Sequence, residues 1–350
     1  MVSDVVLPIL GIDVSKRTFN VTLLVKEKEK SKKFSNDAVG FPQLQKWLRE
    51  VAPNGVHACM EATGRYYELL AEFLYSAGHR VSAVNPARIK GYAQAELMRS
   101  KTDELDAGLI ARFCQKHNPG AWKPLAKEVR EVQEAERYLD ALKGMRLQET
   151  NRLGSGLICD AVREAIAKHI EQMDSEIAEL EKWLKEHIKK HERLTEHHKL
   201  ITSVIGIGDT TAFVWLGEIG YGDGFDVTRQ VESFAGLTTK KTQSGTSIRG
   251  RDRLSKVGNH YLRKALYMPA MCAIQHNPLI RSFAERLRER GKPPKVIIGA
   301  VMRKLLRVIF AVVKSGRPFD LQYNSQPRSS QLAPSTDSSP EPSHVCEVAV

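Results

Sequence analysis

Three features of the 350-residue chain predict an α/β domain followed by an all-α region. Residues 8–85 alternate β-rich runs with helical spacing in the order three strands, helix, strand, helix, strand, the pattern of a mixed sheet. From Glu128 to about His198 the composition turns to Glu, Lys, Leu and Ile with almost no Gly or Pro, as long helices require. Tyr261 to Lys314 again has helical periodicity, with basic residues on the polar faces.

The elements follow in order. Residues 8–13 read as a strand that carries Asp13 among apolar neighbours, and Phe19 to Val25 alternates as its hairpin or meander partner. A short third strand is expected near Lys33 and Phe34, then a helix from Phe41 to Val51 through Phe41, Leu44 and Leu48. Val56 to Glu61 is a strand that ends in a carboxylate. An amphipathic helix then runs to about Ser76, with Gly78 as its C′ residue. Arg80 to Asn85 is a fifth strand, stopped by Pro86, and helices follow to about His117. Gly154-Ser-Gly156 breaks the next region into two helical arms. In the second arm Ile166, Ile170, Met173, Ile177, Leu180, Leu184 and Ile188 form a near-heptad seam, which either packs on the first arm or pairs with another chain. Beyond Phe319 the sequence is Ser/Pro/Gln-rich and aperiodic, as expected of a disordered tail. The resulting division is 1–125 for the α/β domain, 126–198 for the helical hairpin, 199–320 for the C-terminal domain and 321–350 for the tail.

Charge is unevenly spread. Residues 236–317 hold 19 Lys/Arg against Asp252, Glu285 and Glu289, so this segment carries +16 against a chain total of +12 and leaves the remainder at −4. A basic half beside a slightly acidic half points to a polyanionic partner, nucleic acid before membrane. No apolar run approaches the ~18 residues of a membrane span, and the N-terminus, with Asp4 and no basic stretch, does not read as a signal peptide. Five scattered cysteines without a C-x-x-C pair argue against a zinc site and a disulfide framework, and a reducing cytoplasm is the expectation.

Asp103 and Asp106 stand three apart at the start of a helical stretch, which puts both carboxylates on one face. Two readings are open. Ser100 and Asp103 fit a capping box, and acids favour a helix's first turn; alternatively, the like charges are compensated by a divalent cation. Asp13 and Glu61 add two further strand carboxylates that are costly among apolar residues unless paired or metal-bound. Such an all-oxygen cluster suits two Mg²⁺ ions around a phosphodiester. Between Thr238 and His260, Ser244 lies among Lys240, Lys241, Arg249, Arg251, Arg253 and Lys256. The composition favours a phosphate-binding loop over a nucleophile, since Ser247 and Ser255 look no different and no base is identifiable. Gly206-Ile-Gly208 between helices looks like a helix-hairpin-helix turn whose amides hold phosphate. A dinucleotide fingerprint fails because Thr211 stands at the third glycine position.

Taken together, these residues resemble the transposases of the insertion-sequence one-ten family, the bridge-RNA-guided recombinases. The resemblance rests on Gly11-Ile-Asp13, Met60-Glu61-Ala-Thr-Gly64, Val84-Asn85-Pro86, Lys101-Thr-Asp103-Glu-Leu-Asp106-Ala, Gly206-Ile-Gly208, Phe234-Ala-Gly-Leu237, Ser244-Gly-Thr-Ser-Ile-Arg249-Gly and Leu266-Tyr-Met-Pro-Ala270. One departure is Ile205, where many relatives have proline. The resemblance implies a RuvC-like (ribonuclease H-like) domain with an Asp-Glu-Asp-Asp site at Asp13, Glu61, Asp103 and Asp106, a coiled coil, and a C-terminal transposase domain with Ser244 as nucleophile. It further implies Mg²⁺, double-stranded DNA, a structured guide RNA encoded by the element, and a cytoplasmic, nucleoid-associated homodimer that assembles to a tetramer. A nuclease that uses water in place of Ser244, or a catalytically inactive nucleic-acid-binding relic, are the alternatives.

Overall fold

The computed structural model describes residues 7–25, 28–62, 64–97, 103–156, 159–240, 243–244, 248–249 and 253–321, with backbone alone for 103–105, 243–244 and 248–249. The expected tail lies outside them. The chain divides into two compact units, Met1–Ala126 and Lys127–Val350.

The first unit contains β1 (Ile9–Val14), β2 (Thr18–Val25), β3 (Lys28–Ser35), α1 (Gly40–Val51), β4 (His57–Glu61), α2 (Glu68–Ser76), β5 (Arg80–Val84), α3 (Pro86–Ala95) and α4 (Asp103–His117). The strands form one sheet in the order β3-β2-β1-β4-β5. Pairing is antiparallel within β1–β2–β3 and parallel within β1–β4–β5, so the sheet is mixed as the element order predicts. β3 is longer than expected. Its lysine-rich half pairs fully with β2, because an edge strand needs only one apolar anchor, here Phe34 under Phe19 and Trp47.

Local signals act where the sequence puts them. Asp37 accepts the amides of Val39 and Gly40 at 2.9 Å and starts α1. Gly78, at φ +84°, closes α2 while His79 donates back to the Leu74 carbonyl. Asn85 accepts the Ala87 amide at 2.8 Å and starts α3 behind Pro86. Leu10, Ile12, Phe19, Leu44, Leu48, Met60, Leu70 and Leu74 are fully buried between the sheet and α1/α2. A smaller core of Cys59, Val84, Ile89, Ile110, Phe113 and Cys114 lies on the opposite face under α3 and α4.

The second unit is helical: α5 (Lys127–Leu153), α6 (Asp160–Lys190), α7 (Glu192–Thr202), α8 (Asp209–Ile219) and α9 (Thr228–Phe234), then the two-residue strands β6 (Thr239–Lys240), β7 (Gln243–Ser244), β8 (Ile248–Arg249) and β9 (Arg253–Leu254), and finally α10 (His260–Ala265), α11 (Tyr267–His276), α12 (Pro278–Glu289) and α13 (Pro294–Ser315). α5 and α6 pack antiparallel: Lys143 pairs with Glu181 at 2.6 Å, Arg146 with Asp174, and His187 Nε2 lies 3.0 Å from the Glu128 carbonyl. Ile166, Met173, Leu184 and Ile188 of the seam are buried in the single chain, and Leu184 and Ile188 share a core with Val129, Val132 and Leu139 of α5. Leu184 and Ile188 thus close on the first arm, while Ile170, Ile177 and Leu180 stay half-buried in the single chain. α8 is buried along Thr211–Ile219 around Trp215 and serves as the unit's central helix. Among the described residues no helix is long and apolar enough to cross a membrane.

Candidate active site

β1 and β4 occupy the middle of the sheet as parallel neighbours, and the register that pairs Ile12 with Met60 brings Asp13 and Glu61 side by side at their C-terminal ends. Both side chains are half-buried. Strand C-termini in such sheets are where ligands gather, because the backbone ends there and leaves a crevice.

α4 is laid across β1 by a missing side chain. A Cβ on Gly11 would overlap the Ala107 carbonyl oxygen and the Ala111 amide nitrogen and come within 2.7 Å of the Ala111 Cβ. Only glycine on the strand, facing alanines one turn apart on the helix, permits this approach. It holds the second and third turns of α4 against the strand two residues before Asp13. Asp106, adjacent to Ala107, is half-buried at this edge, and Asp103 opens the same helix one turn earlier. The Asp103 side chain and the Ser100 cap fall outside the described residues. Among the described residues no three His, Cys, Asp or Glu side chains converge closely enough to hold a metal ion.

Beneath Glu61 lies a buried polar network that spacing alone does not reveal. His57 Nε2 is 2.8 Å from Ser82 Oγ, which donates to the Gly120 carbonyl at 2.8 Å. On its other side the His57 ring lies 3.6 Å from Cys114 Sγ. The Cys59 thiol is pushed up by its hydrogen bond with Cys114 and by burial, so it stays protonated. The network ties β4, β5 and α4 together under the carboxylates. Cys59 and Cys114 lie on separate elements far apart in sequence, so no short motif announces them.

In the second unit, β6 pairs with β9 and β7 with β8, giving nested antiparallel ladders that present Ser244 opposite Ile248. Lys240 stands directly opposite Arg253, both exposed. Like charges opposed across a ladder repel unless an anion lies between them. Arg249 stands on β8 opposite Gln243, and Lys256, exposed, takes a left-handed φ of +56° beyond β9. Lys241, Arg251 and the Ser244 and Arg249 side chains fall outside the described residues. Gly206, at φ +99°, packs against Ala273, where a Cβ would come within 2.9 Å. Gly208 precedes α8, whose N-terminus also carries Asp209, held by His198 at 3.2 Å and Lys185 at 3.6 Å. An anion on this turn would share it with that carboxylate. The Ile205 carbonyl accepts from Asn277 Nδ2 at 3.2 Å, which ties the turn to the cap of α12.

Two family models match the chain. One, a DEDD-type model described as "Transposase", covers residues 10–158; the other, "Transposase IS116/IS110/IS902 family", covers residues 198–285. The chain is 33% identical over 314 residues to a pilin gene-inverting protein of Moraxella bovis, spanning 89% of this chain and 97% of that protein. It belongs to the IS110 family of transposases. A transposase for insertion sequence element IS1328 from Yersinia enterocolitica is 23% identical over 349 residues, 89% of this chain and 98% of that protein. A shorter match, 33% over 126 residues, joins 35% of this family member to 31% of an IS110 protein from Streptomyces coelicolor. DNA transposase or recombinase activity is thus the family's chemistry, and the mixed α/β unit and the helical unit are the frame on which this member carries it.

Proposed function

We propose that this chain is a metal-dependent, RNA-guided recombinase that cuts and rejoins DNA through a serine ester. The first unit is read as a RuvC-like domain, the α5/α6 arms as its coiled coil and the remainder as the serine-bearing domain. Asp13, Glu61, Asp103 and Asp106 would hold divalent cations. Their donors are all hard carboxylate oxygens, which suits Mg²⁺. When bound, the ions would offset the charge that develops on the scissile phosphate. Among the described residues the other three carboxylates do not close a cage, and Asp103 is read as the fourth member.

The observation that carries this reading is the placement of Asp13 and Glu61 at adjacent strand ends, with the helix of Asp106 packed on β1 at Gly11 through Ala107 and Ala111. In the reaction, the Ser244 Oγ forms a bond to phosphorus while the bond from phosphorus to the departing DNA oxygen breaks, and that oxygen leaves as a hydroxyl with the proton lost from serine. Rejoining reverses the roles. The opposed Lys240 and Arg253 supply the cationic bed for the DNA backbone, and the basic segment also contacts the guide RNA. A composite site, with carboxylates from one protomer and serine from another, calls for a dimer that pairs into a tetramer on DNA.

The test replaces Ser244 with alanine and Asp106 with asparagine. Cleavage assays with the DNA bordering the gene and its transcribed RNA should yield a protein–DNA adduct with neither variant. An adduct-free Ser244→Ala protein that retains full strand exchange overturns the serine ester and leaves water as the nucleophile.

A further inference from the structure

The face of the sheet that carries the carboxylates also carries two residues that no motif marks. Directly paired residues on neighbouring strands project to the same face. Gly11 points at α4, so Asp13, two residues on, shares that face. The pairings Asp13↔Asn20 and Asn20↔Lys33 continue the row onto β2 and β3. Contacts along β3 agree with this parity. Glu29 reaches Arg112 of α4 at 3.1 Å, and Ser31 Oγ lies 3.0 Å from Thr22 Oγ1. Lys32 instead lies over the Phe34 ring, 5.3 Å from its centroid, on the opposite face.

Asn20 is only 7% exposed, yet its side-chain amide is not among the fully buried polar atoms without a partner, which among the described residues are Glu136 Oε2 and Trp215 Nε1. The amide therefore keeps an opening on the carboxylate face through which a ligand oxygen can reach its N–H groups. Lys33, exposed, has no carboxylate partner among the described residues and stands two strand spacings, about 10 Å, from Asp13. Lysines on an edge strand also discourage edge-to-edge pairing, which accounts for Lys28, Lys30 and Lys32. Lys33 differs from them because it faces the carboxylate row.

We infer that Asn20 and Lys33 form a phosphate subsite that extends the carboxylate row across β2 and β3 and grips the DNA strand beside the bond being cut. The inference rests on the proposed carboxylate site. Asn20 supplies amide N–H donors between Asp13 and the edge, and Lys33 supplies a compact point charge for a non-bridging phosphate oxygen. Together they fix where along the strand the carboxylates act.

The experiment uses the full-length protein with its transcribed RNA and a DNA duplex of the gene's border. Single neutral methylphosphonate linkages are placed in turn on either side of the cleaved bond. In wild type one such linkage should slow cleavage about ten-fold; in Lys33→Ala, already slowed about ten-fold at limiting DNA, it should have no further effect. Lys33→Ala should also lower the salt slope of DNA binding by about one, and Lys33→Arg should restore it. Asn20→Ala should give the same methylphosphonate insensitivity, with melting curves confirming that each variant folds. The inference is overturned if both variants keep wild-type sensitivity and slope while Asp13→Asn is inactive, or if the lost contact maps to the RNA. If Asp13→Asn cleaves like wild type, the carboxylate reading itself fails and takes the subsite with it.

Discussion

The carboxylates of the first unit stand on a five-stranded sheet braced by a helix and a buried His–Ser–Cys network, whereas Ser244 stands on a two-residue strand paired to another of equal length. Strands in a sheet fix side chains through ladders on both sides, and a two-residue ladder supplies almost none of that restraint. The contrast suits the two roles proposed for them. Ligands for a cation must be held within fractions of an ångström, while a nucleophile that attacks, releases and attacks again needs freedom to move. Charge separates them too: the sheet ends carry acids, and the ribbon carries the opposed cations Lys240 and Arg253.

The largest expected effect breaks the acidic side. Asp13→Asn or Glu61→Gln should lower strand cleavage by about a thousand-fold, ~4 kcal/mol in the barrier, with the melting temperature little changed. Loss of activity together with loss of folding would assign these residues to structure instead.

Next is the brace. Gly11→Val should cost about 3 kcal/mol or more in urea unfolding, because α4 must move off β1 to admit the side chain. Gly11→Ala, the smallest addition, should cost less and still depress cleavage, by shifting Asp106 relative to Asp13. A comparable loss is expected in the second unit from Leu184→Ala, about 2–5 kcal/mol, since Leu184 is fully buried. That loss should appear without added partner chains, in keeping with a Leu184 that closes on the first arm within one chain.

A third test concerns Glu136 of the second unit, a carboxylate inside a core, unlike the half-buried Asp13 and Glu61. It is buried on α5 with Oε2 lacking a hydrogen-bond partner, near Glu218, which Arg137 holds at 2.7 and 2.9 Å. Burial first, then the charges of Glu218 and Asp140, push its carboxyl up to about 7. The folded state therefore keeps a proton that the unfolded chain has already lost above its ordinary value of 4.5. Stability should fall as pH rises from about 4.5 to 7 and level off beyond, a swing of roughly 3 kcal/mol at most. Glu136→Gln should flatten that dependence in urea melts at pH 5 and pH 8.

The smallest effect concerns Asp37, whose carboxyl is held below its ordinary range by hydrogen bonds from the Gly40 amide, the Ser35 hydroxyl and the Val39 amide. Its stabilising contribution is present above pH 4 and fades on acidification below it. Asp37→Asn should shift acid unfolding only slightly, since the group is fully exposed to solvent.

Much of the first unit was legible because its signals are local. Gly78, Asn85-Pro86 and the period-two runs act through the backbone within a few residues, so strand and helix positions follow from the chain itself. β3 was only partly legible: its lysines look like a turn until a neighbour supplies the ladder. The α6 seam left open whether it closes within the chain, since the same apolar stripe serves either arrangement; in the single chain Leu184 and Ile188 are buried with α5, and Ile170, Ile177 and Leu180 are half-buried. In the site, Asp13, Glu61, Asp103 and Asp106 could be singled out by type and context; Gly11 appeared only as part of a motif, without its packing role, and Asn20 and Lys33 did not appear at all. Those depend on which residues face one another across the sheet.

By itself, then, the sequence determined the order of elements, the charge asymmetry, the family and the carboxylates worth testing, all properties of residue type and short-range spacing. The tertiary structure alone decided that β1 and β4 are parallel neighbours, that Gly11 admits α4 beside Asp13, and that Asn20 and Lys33 share the carboxylate face. The physical reason is that strand register is set by long-range pairing and by which face is buried, and a shift of one residue would turn every one of these side chains to the other side.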